Sequence, residues 1–190
     1  AHAQRNGSVS FLALDWRKAF DSVHTERLLH ALARFGITPK YVRIIRYIMT
    51  NRRFFVEDFG IKSDERLQRS GVSQGCTLSP LLFITLMTAL MQGAVDMLPE
   101  PAAQAYRQKR LADIVFADDT LLLGAAADHV QQFTEAVARA GSANGLELHF
   151  DKFQLLQASS HKTVRFRGKA IPSEDSICLL YTSPSPRDSI

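Results

Sequence analysis

With 190 residues, 46% hydrophobic and 22% charged, the chain can bury one sizeable core, and intrinsic disorder is excluded as its default state. Lys and Arg number 23 against 19 Asp and Glu; the net charge of +4 suits a polyanionic partner without identifying one. The two cysteines, Cys76 and Cys178, lie far apart without metal-ligand spacing, which excludes a disulfide framework and a zinc site and fits an intracellular setting, nucleus or cytoplasm.

The first predicted element is Val9 to Leu14, a short apolar run bounded by Gly7 and Asp15, hence a buried strand with an acid at its C-terminal end. Thr25 caps a helix to Phe35, with Leu28, Leu29, Leu32 and Phe35 on one face and Gly36 as its stop. Thr38-Pro39 opens a second helix, in which Val42, Ile45, Ile48 and Met49 face one way and Lys40, Arg43 and Arg46 the other. Such a basic face is either solvated or laid along a phosphate backbone. With Arg52 and Arg53 it is the candidate nucleic-acid contact.

Arg53 to Phe59 and Lys62 to Arg69 flank Gly60 as a hairpin, and Ser70 to Thr77 is a glycine-containing loop. Ser79-Pro80 opens an apolar helix to about Leu98. Its longest apolar run, Leu81 to Met91, is too short to cross a bilayer, so a buried core helix and no membrane partner are expected. Pro99 to Ala103 breaks the helix. A second hairpin spans Arg110 to Leu123 and turns at Ala117-Asp118-Asp119; an amphipathic helix follows through Val130, Phe133, Val137 and Ala140 to Asn144-Gly145. Leu146 to Gln157 and Val164 to Arg167 are closing strands. There are no internal repeats.

Adjacent acids at the turn of an apolar hairpin need an explanation, because an unpaired carboxylate beside a core is costly. A hard cation supplies one, and so does the ordinary preference of Asp for turns. Asp15 favours the cation. If its strand neighbours the second hairpin, Asp15, Asp118 and Asp119 converge where two Mg2+ ions about 4 Å apart would bridge a hydroxyl and a triphosphate, with Mn2+ as an alternative. Asp15 and Asp118 should then come within metal-bridging range. His24 and His149 are taken as surface or packing residues.

Four segments in order carry a family resemblance. Leu14-Asp15-Trp16-Arg17-Lys18-Ala19-Phe20-Asp21-Ser22-Val23 resembles the first catalytic motif of reverse transcriptases. The segment from Ser70 to Phe83, containing Ser73-Gln74-Gly75-Cys76 and Leu78-Ser79-Pro80, resembles their template-positioning loop and following helix. Phe116-Ala117-Asp118-Asp119 resembles the third motif, and Gly145-Leu146-Glu147-Leu148 through Asp151-Lys152 the fourth. The match, over roughly residues 9 to 157, is most similar to the enzymes of non-LTR retrotransposons. Phe116 stands where Tyr is more frequent, and Cys76-Thr77 where Asp-Pro is.

The resemblance implies an α/β (α+β) polymerase palm: an antiparallel sheet bearing the acids, backed by helices, with residues 25 to 69 leading toward the fingers. It implies Asp15, Asp118 and Asp119 as metal ligands and Lys152 as proton donor to the leaving pyrophosphate, or else an exposed lysine without a role. Trp16 would offer substrate its backbone carbonyl. Phe20 occupies the position of a steric gate against the ribose 2′-hydroxyl, or is a packing residue; Gln74 and Gly75 lie against the nascent base pair, or Gly75 simply turns the chain. The implied partners are an RNA template, a DNA primer and a deoxynucleoside triphosphate, with the oligomeric state open. A group II intron or retron enzyme is the nearest alternative, and a non-catalytic palm scaffold the alternative outside enzymes.

Residues 1 to 177 are expected to be a palm with the base of the fingers, cut at both ends and without a thumb. The tail from Cys178 to Ile190 resembles translated read-through of a sequencing adapter and is expected to be non-native.

Overall fold

A computed structural model describes residues 8–158 and 162–177; the tail expectation, and Cys178 with it, lies outside these. In chain order the elements are β1 (Val9–Leu14), α1 (Ala19–Ser22), α2 (Thr25–Arg34), α3 (Pro39–Met49), β2 (Arg53–Phe54), β3 (Glu57–Asp58), β4 (Ile61–Lys62), β5 (Arg66–Leu67) and α4 (Ser79–Asp96). They continue with α5 (Glu100–Arg107), β6 (Leu111–Phe116), β7 (Asp119–Gly124), α6 (Ala127–Ala143), a 3-10 turn (Phe150–Lys152), β8 (Gln154–Ala158), β9 (Arg165–Phe166), β10 (Lys169–Ala170) and β11 (Ser173–Glu174).

The main sheet runs in the order β11-β8-β1-β7-β6, and β1 is antiparallel to both neighbours. Its edge strand β11 pairs parallel to β8, a departure from a purely antiparallel sheet. Because strand side chains alternate, the register sorts the sheet into two faces. Ser10, Leu12 and Leu14 of β1 share one with Thr120, Leu122 and Gly124 of β7 and Leu155 of β8, and all of these are buried. Helix α6 packs on β1 and β7 and against α4, which in turn packs on α2. On the opposite face Phe11, Leu123 and Leu156 are only half-buried, and Ile114 and Phe116 of the edge strand β6 are exposed. One side of the sheet is therefore covered and the other largely open.

Helix α4 is the one described helix long and apolar enough to cross a membrane. Leu82, Phe83, Leu86, Met87, Leu90, Met91 and Ala94 line its buried face, which makes it the central core helix of this fold.

The departures from expectation have local causes. The helix breaks before Pro99 as expected, but a further helix not foreseen follows: Pro99 caps α5 and Pro101 occupies its first turn, where backbone amides have no intrahelical partner to lose. Residues Leu146 to Gln157 form no continuous strand. Leu148 makes a single bridge to Trp16, the 3-10 turn intervenes, and β8 begins at Gln154. The strand expected from Val164 to Arg167 shrinks to a two-residue hairpin with β10. The hairpin about Gly60 is present as two nested pairs, β2 with β5 and β3 with β4. Phe35 is half exposed at the end of α2. Along α3 only Met49 is buried, with Val42 and Ile45 packed partly against the core and Ile48 open to solvent.

Candidate active site

The sheet register brings the acids together. Leu14 pairs with Thr120, so Asp15, one residue on, and Asp119, one residue back, stand side by side on neighbouring strands. The alternation places both on the open face. Asp118 lies in the two-residue turn closed by the Phe116–Asp119 pair, whose other member, Ala117, takes φ 53°. A non-glycine residue in that region is conformationally costly, so the turn is held by its surroundings.

The electrostatics follow from this placement. Burial, then the charges of Asp118 and Asp15, raise the pKa of Asp119 above the usual carboxylate range. Asp15 is turned to a cation of the chain itself, with its Oδ2 3.4 Å from Lys152 Nζ. Among the described residues no group of three or more His, Cys, Asp and Glu side chains is poised to hold a metal ion. The three acids lie near one another, since the charges of both Asp118 and Asp15 act on Asp119. They are neighbours along one end of the sheet, and Asp15 pairs with Lys152. As a donor set they fit a hard divalent cation, because hard oxygen donors are what Mg2+ selects and a cation would offset the neighbouring negative charges that, after burial, raise the Asp119 pKa.

Lys152 reaches Asp15 because the fourth motif is laced to the first. His149 N donates to Asp15 O at 2.8 Å and Arg17 N to Glu147 O at 2.8 Å, on either side of the Trp16–Leu148 bridge. The 3-10 turn then carries Lys152 over the strand end. Trp16 is fixed from both sides: its buried indole Nε1 donates to Thr120 Oγ1 at 3.1 Å, and its ring lies against Gly141 of α6. Its side chain belongs to the core.

Two clefts meet at Asp15. One, of about 430 Å³, is lined by Asp15, Asp119, Asp151, Lys152, Gln154 and Glu174, among others. The other, of about 440 Å³, is lined by Asp15, Arg17, Lys18, Glu147, His149 and Lys152, among others. Arg17, Asp151 and Glu174 are lining residues that the sequence did not single out. His149, taken as a surface or packing residue, lies here too, its Nδ1 buried without a hydrogen-bond partner among the described residues; only its place just after Leu148 in the fourth motif hinted at this.

Phe20 is half-buried and stacks on Phe83 of α4, with ring centroids 4.3 Å apart and planes 17° from parallel. Its backbone oxygen accepts from Val72 N at 2.8 Å, so the Ser70–Thr77 loop is tied to the first motif. Gln74 and Gly75 are exposed at the outer bend of that loop; Gly75 has φ 82°, and nothing lies within 4 Å of the site of a Cβ.

The basic residues divide. Lys40 and Arg43 are exposed on α3 with no ion pair among the described residues, Arg46 pairs with Glu26, and Arg53 lies 3.7 Å from Glu65. Arg52 turns inward onto the loop.

A sheet packed with helices on one face, with acids at one end of neighbouring strands on its open face, is the palm of a nucleic-acid polymerase. Residues 1–171 match the family described as Reverse transcriptase (RNA-dependent DNA polymerase), and the chain belongs to that family. It is 34% identical over 116 residues to an R2 retrotransposable element Pol polyprotein of Popillia japonica, covering 61% of this chain and 19% of the relative. It is 31% identical over 135 residues to its R2 counterpart in Nasonia vitripennis, covering 71% of this chain and 13% of the relative. These relatives place it with reverse transcriptase domains of non-LTR retrotransposons, and it spans a fifth or less of their length. Among solved structures, apo telomerase of Candida tropicalis truncated from its C-terminal domain superposes with TM-score 0.67 at 13% identity, over 87% of this chain and 34% of that one. Candida albicans telomerase, in complex with a fragment of telomeric RNA, gives TM-score 0.64 at 13% identity over 85% and 30%. At such identities the likeness concerns the fold, and it agrees with the palm. Members of the family bind RNA templates and use divalent metal ions.

Proposed function

We propose that this chain is the palm of an RNA-directed DNA polymerase that joins a deoxynucleoside triphosphate to a primer 3′-hydroxyl on an RNA template. The observation that carries the reading is the β1–β7 register, which sets Asp15 beside Asp119 on the uncovered face of the sheet. Asp15, Asp118 and Asp119 would hold Mg2+, or Mn2+, which when bound activates the attacking hydroxyl and stabilises the leaving pyrophosphate. The chain's own groups do the rest. Lys152, beside Asp15, is placed to hand a proton to the departing phosphate oxygen. Phe20, backed by Phe83, presents a fixed ring to the sugar, and Gln74 and Gly75 face the new base pair. Lys40, Arg43, Arg46 and Arg53 offer cations to the phosphate backbone.

Retention of all three acids favours this over a non-catalytic palm scaffold, since neighbouring negative charges burden a fold that has no use for them. The test is single-nucleotide incorporation on an RNA template by a polymerase carrying this palm in its full reading frame. The wild type should extend a primer with Mg2+, and Asp15→Asn should abolish extension. Undiminished extension by Asp15→Asn would refute the assignment.

A further inference from the structure

Arg52 follows α3 and, from sequence, belongs to a basic strip facing nucleic acid. In the fold its half-buried side chain turns away from that strip and spreads three donors, one to the end of α3 and two to the chain's own loop. Nε donates to Met49 O at 3.2 Å, Nη2 to Gly71 O at 2.5 Å and Nη1 to Ser73 Oγ at 3.2 Å. One planar fork thus joins the end of α3 to both sides of Val72.

The start of the loop is held elsewhere as well. Ser70 Oγ donates to Asp21 O at 2.9 Å, Gly71 N to Val23 O at 2.8 Å and Val72 N to Phe20 O at 2.8 Å. A Cβ on Gly71 would lie 2.9 Å from the Asp21 backbone, so the loop is pressed directly onto the first motif. Beyond Val72 this lacing stops. Ser73, Gln74 and Gly75 are exposed, and among the described residues the Arg52–Ser73 bond is the last tie to another element before the bend.

We propose that Arg52 is a positioning residue: its fork sets the direction in which Gln74 and Gly75 leave the palm, and so controls how firmly the incoming nucleotide is held, without touching nucleic acid. This rests on reading Gln74 and Gly75 as the face of the new base pair. Lysine keeps the charge but is a point donor, so it cannot bridge three acceptors in fixed directions. A phosphate contact tolerates that exchange far better.

Two measurements separate the parts. In the 190-residue chain, backbone amide hydrogen exchange should be about tenfold faster at Gly71 and Val72 in both Arg52→Lys and Arg52→Gln than in the wild type, with β1 and β7 unchanged. Ser73→Ala should move the same amides in the same direction by less, and add little to Arg52→Lys, because the two residues share one bond. Wild-type exchange in Arg52→Lys would overturn the proposal, and so would global acceleration that includes β1 and β7. In a polymerase carrying this palm, Arg52→Lys should raise KM for the complementary nucleotide by about tenfold while kcat and duplex affinity stay within about twofold. A loss of duplex affinity restored by lysine would instead make Arg52 a backbone contact. If the wild type incorporates nothing, the polymerase reading fails, and the exchange data still decide whether Arg52 positions the loop.

Discussion

At the scale of single residues, the site is a compromise between charge and fold. Asp119 is disfavoured as a carboxylate by burial, by Asp118 and by Asp15. Removing that charge should leave the fold intact: Asp119→Asn is expected to unfold at neutral pH no lower in temperature than the wild type, and to incorporate no nucleotide. Thermal unfolding and primer extension on the same preparation check both halves. The Phe20 ring packs on Phe83 and is otherwise half exposed, and the proposed function asks it to gate the sugar as well. Phe20→Ala should therefore cost about 2 kcal/mol of stability and also admit ribonucleotides. Unchanged sugar discrimination would leave only the packing role.

These residues were legible to different degrees for physical reasons. Asp15, Asp118 and Asp119 announce themselves because each interrupts or ends an apolar strand, where a charge needs a cause. Arg52 does not. A lone arginine beside Arg53 in a basic stretch looks solvent-facing, and nothing short of tertiary structure says that its fork is spent on Gly71 and Ser73. Lys152 was placed by motif alone; its proximity to Asp15 depends on a 3-10 turn that periodicity did not show.

At the scale of elements, helices and strand ends came through and short irregular joints did not. Helix α6 is seated on the first motif by contact between Gly141 and the Trp16 ring, where a Cβ would fall 2.5 Å from the ring edge. Gly141→Ala should thus push α6 off β1 and cost about 1–3 kcal/mol, read from denaturant unfolding. Helix α5 is joined to β6 through Tyr106, whose hydroxyl donates to Asp113 Oδ1 at 2.8 Å. Burial, then that bond and the Asp113 charge, push the phenol pKa from 10.0 up to about 12. The fold favours the protonated phenol, so this contribution is complete below pH 10.0 and is lost as pH rises through about 12. Tyr106→Phe should flatten the fall in unfolding midpoint across that window; an equally steep fall in the variant would place the alkaline sensitivity elsewhere. The edge strand β11 escaped prediction because two residues, Ser173 and Glu174, carry no period at all.

For the molecule as a whole, charge and open surface coincide on α3, where Lys40 and Arg43 stand exposed beside Tyr41 and Tyr47 and no acid is present along the helix. Binding to single-stranded RNA should weaken steeply with salt, and Lys40→Gln with Arg43→Gln should reduce the salt slope by about 2 in all. An unchanged slope would return that strip to plain solvent exposure. The sheet order bears on something other than chemistry. Strand β1 is central, yet its partner β7 lies far along the chain, and Trp16 and Thr120, which bond across that seam, are 104 residues apart. During translation β1 therefore emerges with neither neighbour made, and pairing over so long a span forms slowly. A message broken anywhere before the codons for β7 yields helices and a loose strand, with Asp15 facing no partner. Only a chain extended as far as Asp118 and Asp119 can set another acid beside Asp15, so this end of the sheet assembles late in synthesis.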